Sequence, residues 1–169
     1  GWGIFYPPLS VLIPAIPIAF GLDLANAYKL FLLLCTICSG IFMYQFILEM
    51  TQSRFQSALT SVFYLTGPYF LTDLIIRGAV GEVLIFVLLP LIFRGFYSLI
   101  YGNQTKWLFI AIGFGGLALS HVIGLVLTVL VSALFLLVNI KRIFKRAIII
   151  KLLLSFLLAF LSAASFLVP

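Results

Sequence analysis

Long apolar runs fill the chain, and charged positions mark their ends. A helix needs about 20 mainly apolar residues to cross a hydrocarbon core of about 30 Å. The runs predict six crossings, at residues 25–50, 54–71, 83–100, 107–120, 121–139 and 147–168. The second carries a more polar face, and the third is expected to kink at Pro90. The stretch 107–120 is short for a crossing, yet the turn chemistry from Gly115 to His121 favours two helices over one long one. Residues 9–21 are apolar but few, and contain Pro14 and Pro17. Proline removes a backbone donor, and lipid offers no substitute partner, so this segment reads as a juxtamembrane or re-entrant helix. Residues 72–82 form a polar patch and 101–106 a turn. The expected architecture is an all-α polytopic transmembrane helical bundle. It forms a single domain over 1–169, with the end of an outer loop and the juxtamembrane helix in 1–24 and the spans in 25–169. A chain that opens on Gly1 and stops at Pro169 straight after an apolar stretch is expected to be a piece of a longer protein.

Composition sharpens this picture. Apolar residues make up 64% of the chain and charged ones 8%, against roughly half and a quarter in a soluble domain, which excludes a water-soluble globule. The formal charge of +6 is too dilute, among such long apolar runs, to build a nucleic-acid groove. The expected partner is a lipid bilayer carrying anionic lipid. Cys35 and Cys38 read as C-x-x-C, but within an apolar helix they are small packing residues.

Lys and Arg keep to the cytoplasmic side of a membrane, and the run Lys141, Arg142, Lys145, Arg146 sets the orientation. Alternating back from it places Arg54, Arg94, Lys106 and Lys151 inside as well, with Lys29 and Arg77 outside. The acidic residues sort oppositely: Asp23, Asp73 and Glu82 fall outside and Glu49 inside. This topology gathers Tyr6, Pro7, Pro8, Asp73, Arg77, Glu82 and His121 at the outer face.

Asp73 and Arg77 stand four apart, so that on a helix they face each other, and Glu82 follows five residues on. Two readings stay open for them. An interfacial salt bridge needs no further purpose. Alternatively, Arg77 holds a phosphate or pyrophosphate bidentately through its planar, permanently charged guanidinium, with Asp73 or Glu82 orienting it. His121 is the only histidine and makes no metal site alone. A satisfied buried donor is its plain reading; its outer position suggests contact with an anionic ligand or proton transfer.

The order FYPPL (5–9), AYKL (27–30), YLTGPYFLTDLIIRGAVGE (64–82), LLPL (88–91) and LALSH (117–121) resembles a bacterial multispanning domain. That domain is the 6-pyruvoyl-tetrahydropterin-synthase-related membrane domain, which is similar to the GT-C superfamily of glycosyltransferases. The pattern PY-x-x-x-D-x-x-x-RGA-x-x-E over 68–82 carries most of the likeness. The pterin label is not literal, since the soluble synthase binds zinc through several histidines and this chain has one. The resemblance implies a fragment of a larger GT-C-like fold in the bacterial cytoplasmic membrane, belonging to an enzyme that transfers a sugar from a polyprenyl-phosphate donor on the outer face. Tyr6, Asp73, Arg77, Glu82 and His121 would contact the polyprenyl-phosphate-linked sugar. The family's acidic catalytic residue lies in the first outer loop, which places it upstream of Gly1 and leaves the fragment alone inactive. The sequence assigns no cofactor; a divalent metal is a candidate for the full-length protein only. Rival readings are a transporter or flippase for lipid-linked saccharides and a noncatalytic assembly subunit.

Overall fold

A computed structural model describes residues 7–167, with side chains as far as 164. Among the described residues all regular structure is helical. Helix α1 (Leu9–Ala19) runs through Pro14 and Pro17, and α2 (Leu24–Thr51) starts at Asp23, whose carboxylate accepts the Asn26 N–H at 3.1 Å. Such a cap satisfies one of the N–H groups that a helix start leaves without a partner. Gln52, at φ 56°, ends α2, and Ser53 caps α3 (Arg54–Thr66), so that α2 and α3 fold back as a hairpin. Helix α2 buries Ala27, Phe31, Cys35 and Ser39, a row at i, i+4 spacing that forms one ridge of the helix. Helix α3 buries Ser57 and Ser61. Cys35 and Cys38 are free thiols and Cys35 belongs to the buried row, a packing role.

The expected single crossing over 54–71 is instead bent by 46° between Arg54–Thr66 and Pro68–Arg77. The cause is local: Pro68 cannot donate, and it forces Gly67 before it into an extended conformation (φ −56°, ψ 136°). Beyond the bend come α4 (Pro68–Leu71) and a π-helix over Thr72–Arg77, closed by Gly78 at φ 56°. Left-handed backbone of this kind suits glycine.

Helix α5 (Val80–Tyr101) continues through Pro90 and is the most buried long helix of the described chain. It lies between α2 and α6 (Leu108–Ala118), with α6 in turn against α9 (Arg146–Leu167). Ile92, Phe96 and Leu99 meet Ile110, Phe114 and Leu117, backed by Ile148 and Leu152 of α9. Small residues permit the close approach. A Cβ on Gly113 would stand 2.1 Å from Ile92 Cγ1, one on Gly115 2.3 Å from Ser162 Oγ, and one on Gly95 2.8 Å from Ile110 Cγ1. Helix α7 (Val122–Val138) buries only Gly124, Thr128 and Ser132 and turns Ile123, Val126, Leu127, Leu130 and Leu134 outward. The short α8 (Ile140–Ile143) leads to α9.

Three helices are long and apolar enough to cross a membrane, α2, α5 and α9, and the bent pair Arg54–Thr66 with Pro68–Arg77 makes a fourth if it is one span. The sequence expectation of six exceeds this number because α6 and α7 have 11 and 17 residues. Helix α1, expected to be juxtamembrane, has 11.

Candidate functional site

Two clusters of charged side chains lie along α5. At its start, Glu82 lies in the first turn, beside the π-helix that carries Asp73 and Arg77. Arg77 Nη1 donates to Asp73 Oδ1 at 2.7 Å and to Glu82 Oε2 at 2.9 Å, and Nη2 donates to Glu82 Oε1 at 2.7 Å. Tyr69 Oη donates to Glu82 Oε2 at 2.6 Å. Of the five guanidinium N–H groups, three are therefore directed at carboxylates. Asp73 is fully buried and its Oδ2 has no hydrogen-bond partner among the described residues, whereas the Arg77 side chain is 48% exposed.

Backbone contacts bring the α6–α7 turn to the same place. The Leu9 N–H donates to the Leu119 carbonyl at 2.8 Å, and Gly81 approaches so closely that a Cβ there would lie 2.6 Å from the Ser120 carbonyl oxygen. His121 thereby reaches Glu82, with Nε2 3.9 Å from Oε1. A cleft of about 530 Å³ opens between these parts, bordered by Ser10 of α1, Tyr28 of α2, Arg77, Glu82 and His121, together with the backbone of Gly78 to Gly81. A second, largely apolar groove of about 570 Å³ lies between α1 and α2, with Ile16 and Phe20 contributed by one helix and Leu30 and Leu34 by the other.

Arg77, Glu82 and His121 thus border one cleft, and Asp73 lies buried behind Arg77 as a counter-charge. Tyr6 lies outside the described residues. Sequence reasoning did not select Tyr69 or Tyr28, although both stand within quoted motifs, PY and AYKL. The cluster offers an incoming anion the two guanidinium N–H groups not directed at carboxylates. It also holds two acids for one Arg, so an anion must compete with Glu82. Among the described residues no three His, Cys, Asp or Glu side chains group as a metal ion requires.

At the other level, Glu49 Oε2 accepts from Arg94 Nε at 2.9 Å and from Lys106 Nζ at 2.5 Å. Arg94 also bonds to Gln45, and Lys151 Nζ donates to the Gln104 carbonyl at 3.1 Å. The structure thus joins residues that charge sorting had assigned to one side without pairing them.

A chain whose described residues are all-helical, with several apolar helices long enough to cross, is a polytopic membrane protein. A family model described as the 6-pyruvoyl-tetrahydropterin synthase related domain, a membrane protein, matches residues 4–169, and the chain belongs to that family. No curated protein matches it, and no solved structure does.

Proposed function

We propose that this domain is the membrane-embedded part of a GT-C-like glycosyltransferase that takes a sugar from a polyprenyl-phosphate donor at the outer face of a bacterial cytoplasmic membrane. One observation carries the reading: a polar cleft containing Arg77 and an apolar groove of similar size are both lined by α1 and α2. An isoprenoid phosphate needs both, an apolar channel for its chain and a few convergent donors for its head. Arg77 would turn its fork from Glu82 toward the phosphate oxygens, leaving Glu82 held by Tyr69. Such a positioned cation also stabilises a departing phosphate. None of the present residues is given the role of catalytic acid, and no step passes through a metal. In this arrangement α6 and α7 are crossings too. They run antiparallel between the Glu82 level and the Lys106 level, which makes six crossings with the basic run inside.

The test is polyprenyl-phosphate binding by the chain in lipid nanodiscs. Arg77→Lys keeps the charge and loses the fork, so affinity is expected to fall roughly tenfold, the cost of about one charge-assisted hydrogen bond, with little change in thermal unfolding. Equal affinity removes the bidentate role, and no binding by the wild-type chain removes the reading. Robust sugar transfer by residues 1–169 alone would place the base among Asp23, Asp73 and Glu82.

A further inference from the structure

His121 uses one edge of its ring and leaves the other without a hydrogen bond among the described residues. At the N-cap of α7, its Nδ1 accepts the Gly124 N–H at 2.9 Å. A ring nitrogen that accepts must present its lone pair, so in the neutral imidazole the proton sits on Nε2. Nε2 makes no hydrogen bond among the described residues, since Glu82 Oε1 at 3.9 Å lies beyond reach. The side chain is about a quarter exposed and borders the cleft.

Capping does not call for imidazole. Ser, Thr, Asp and Asn cap helices well, and a shorter side chain would close this one. What histidine adds is a second nitrogen carried further out, over the cleft, at the positive end of α7. Gly124 leaves room at this point: a Cβ there would lie 2.4 Å from Ile85 Cδ1 and 3.1 Å from His121 Nδ1.

We infer that His121 is a hydrogen-bond donor of fixed tautomer, offering Nε2–H to a phosphate oxygen in the cleft while the α7 cap keeps Nδ1 out of proton transfer. This rests on the phosphate reading of the cleft for its ligand, but not for its tautomer. A general base needs a free lone pair within hydrogen-bond reach of the proton it takes. The one lone pair on this ring is already committed to Gly124. The phosphate would sit between the Arg77 fork, turned from Glu82, and Nε2–H, where Glu82 stands in its absence.

Because the chain has a single histidine, a ¹⁵N-histidine spectrum of the protein in nanodiscs reports this residue alone. Without ligand, Nδ1 should appear unprotonated and Nε2 protonated; the opposite tautomer overturns the inference whatever the protein does. On adding polyprenyl phosphate, Nε2 and its proton should shift while Nδ1 stays. A parallel titration with inorganic phosphate separates the sources: a response to the lipid alone assigns a headgroup, and an equal response to both assigns free phosphate. No response of Nε2 to either probe overturns the phosphate assignment and leaves the tautomer result standing. His121→Asn retains an acceptor for Gly124 and lacks the distal donor, so it should unfold like the wild type and bind roughly tenfold more weakly. Undiminished binding by this variant overturns the donor role.

Discussion

Glu49 on α2 and Arg94 on α5, 45 residues apart, meet at 2.9 Å. Lys106 reaches the same carboxylate oxygen, and the Arg94 guanidinium lies 5.6 Å from the Phe109 ring centroid. One acid thus holds two cations, all three at most 30% exposed. Removing the acid leaves half-buried cations facing each other, which costs more than an exposed pair returns. Glu49→Gln is expected to destabilise the protein by about 2 kcal/mol. The double change Glu49→Gln with Arg94→Met should recover part of that loss, read as a coupling energy in a thermal-unfolding cycle. Additive losses would show that the pair contributes nothing of its own.

Gly113 and Gly116 both face α5, but what they meet differs. A Cβ on Gly113 would fall 2.1 Å from Cγ1 of the β-branched, fully buried Ile92, with the Leu88 carbonyl 3.4 Å away; one on Gly116 would meet Leu88 Cδ1, a side-chain end, at 2.9 Å. Gly113→Ala should therefore cost about 2 kcal/mol as overpacking, and Gly116→Ala clearly less. Unfolding midpoints of the two variants in one detergent check the ranking, which reversed values would refute.

Membrane orientation is tested by labelling single cysteines, in a background without Cys35 and Cys38, using an impermeant reagent in intact cells. Cysteines at Thr72 and Gly78 should react from outside, and those at Lys106 and Lys145 should stay protected. Reaction at Lys145 would invert the arrangement.

Asp23 caps α2 outside the membrane-crossing segment, and the hydrogen bond from the Asn26 N–H holds its carboxyl below the usual range. A carboxyl depressed on folding stabilises the fold above its unfolded pKa, near 3.9, and that contribution is lost as pH falls through the lower folded value. Amide protection in the first turn of α2, taken relative to the intrinsic exchange rate at each pH, should accordingly fall below about pH 4. Asp23→Asn keeps an acceptor and should flatten that dependence; an unchanged pH profile would point to another group.

Helix identity and the meeting of Asp73 with Arg77 were legible because both depend on spacing within one segment. The bend at Gly67 was not read, although Pro68 signals it, because the apolar run continues past it. Tyr69 was missed for a different reason. Its partner Glu82 lies across the π-helix and Gly78, and the wider π-helical turn cannot be read from residue types. Glu49, Arg94 and Lys106 were sorted to one side by sign alone; their contact depends on how α2, α5 and the turn before α6 pack. His121 was read as a candidate, but the division of labour between its nitrogens follows from its place at the start of α7.

Twelve residues of α5 separate Glu82 from Arg94, a rise of about 18 Å, while a typical hydrocarbon layer is about 30 Å thick. The 11 residues of α6, which connect the same two levels, span a similarly short distance. Two charged levels so close cannot both stand clear of an undeformed bilayer, even with long side chains reaching outward. Ion pairing within each cluster, local thinning of the bilayer, or water entering the cleft down to Glu82 would accommodate charge at that depth. Where the bilayer thins, the fold favours thin membranes over thick ones.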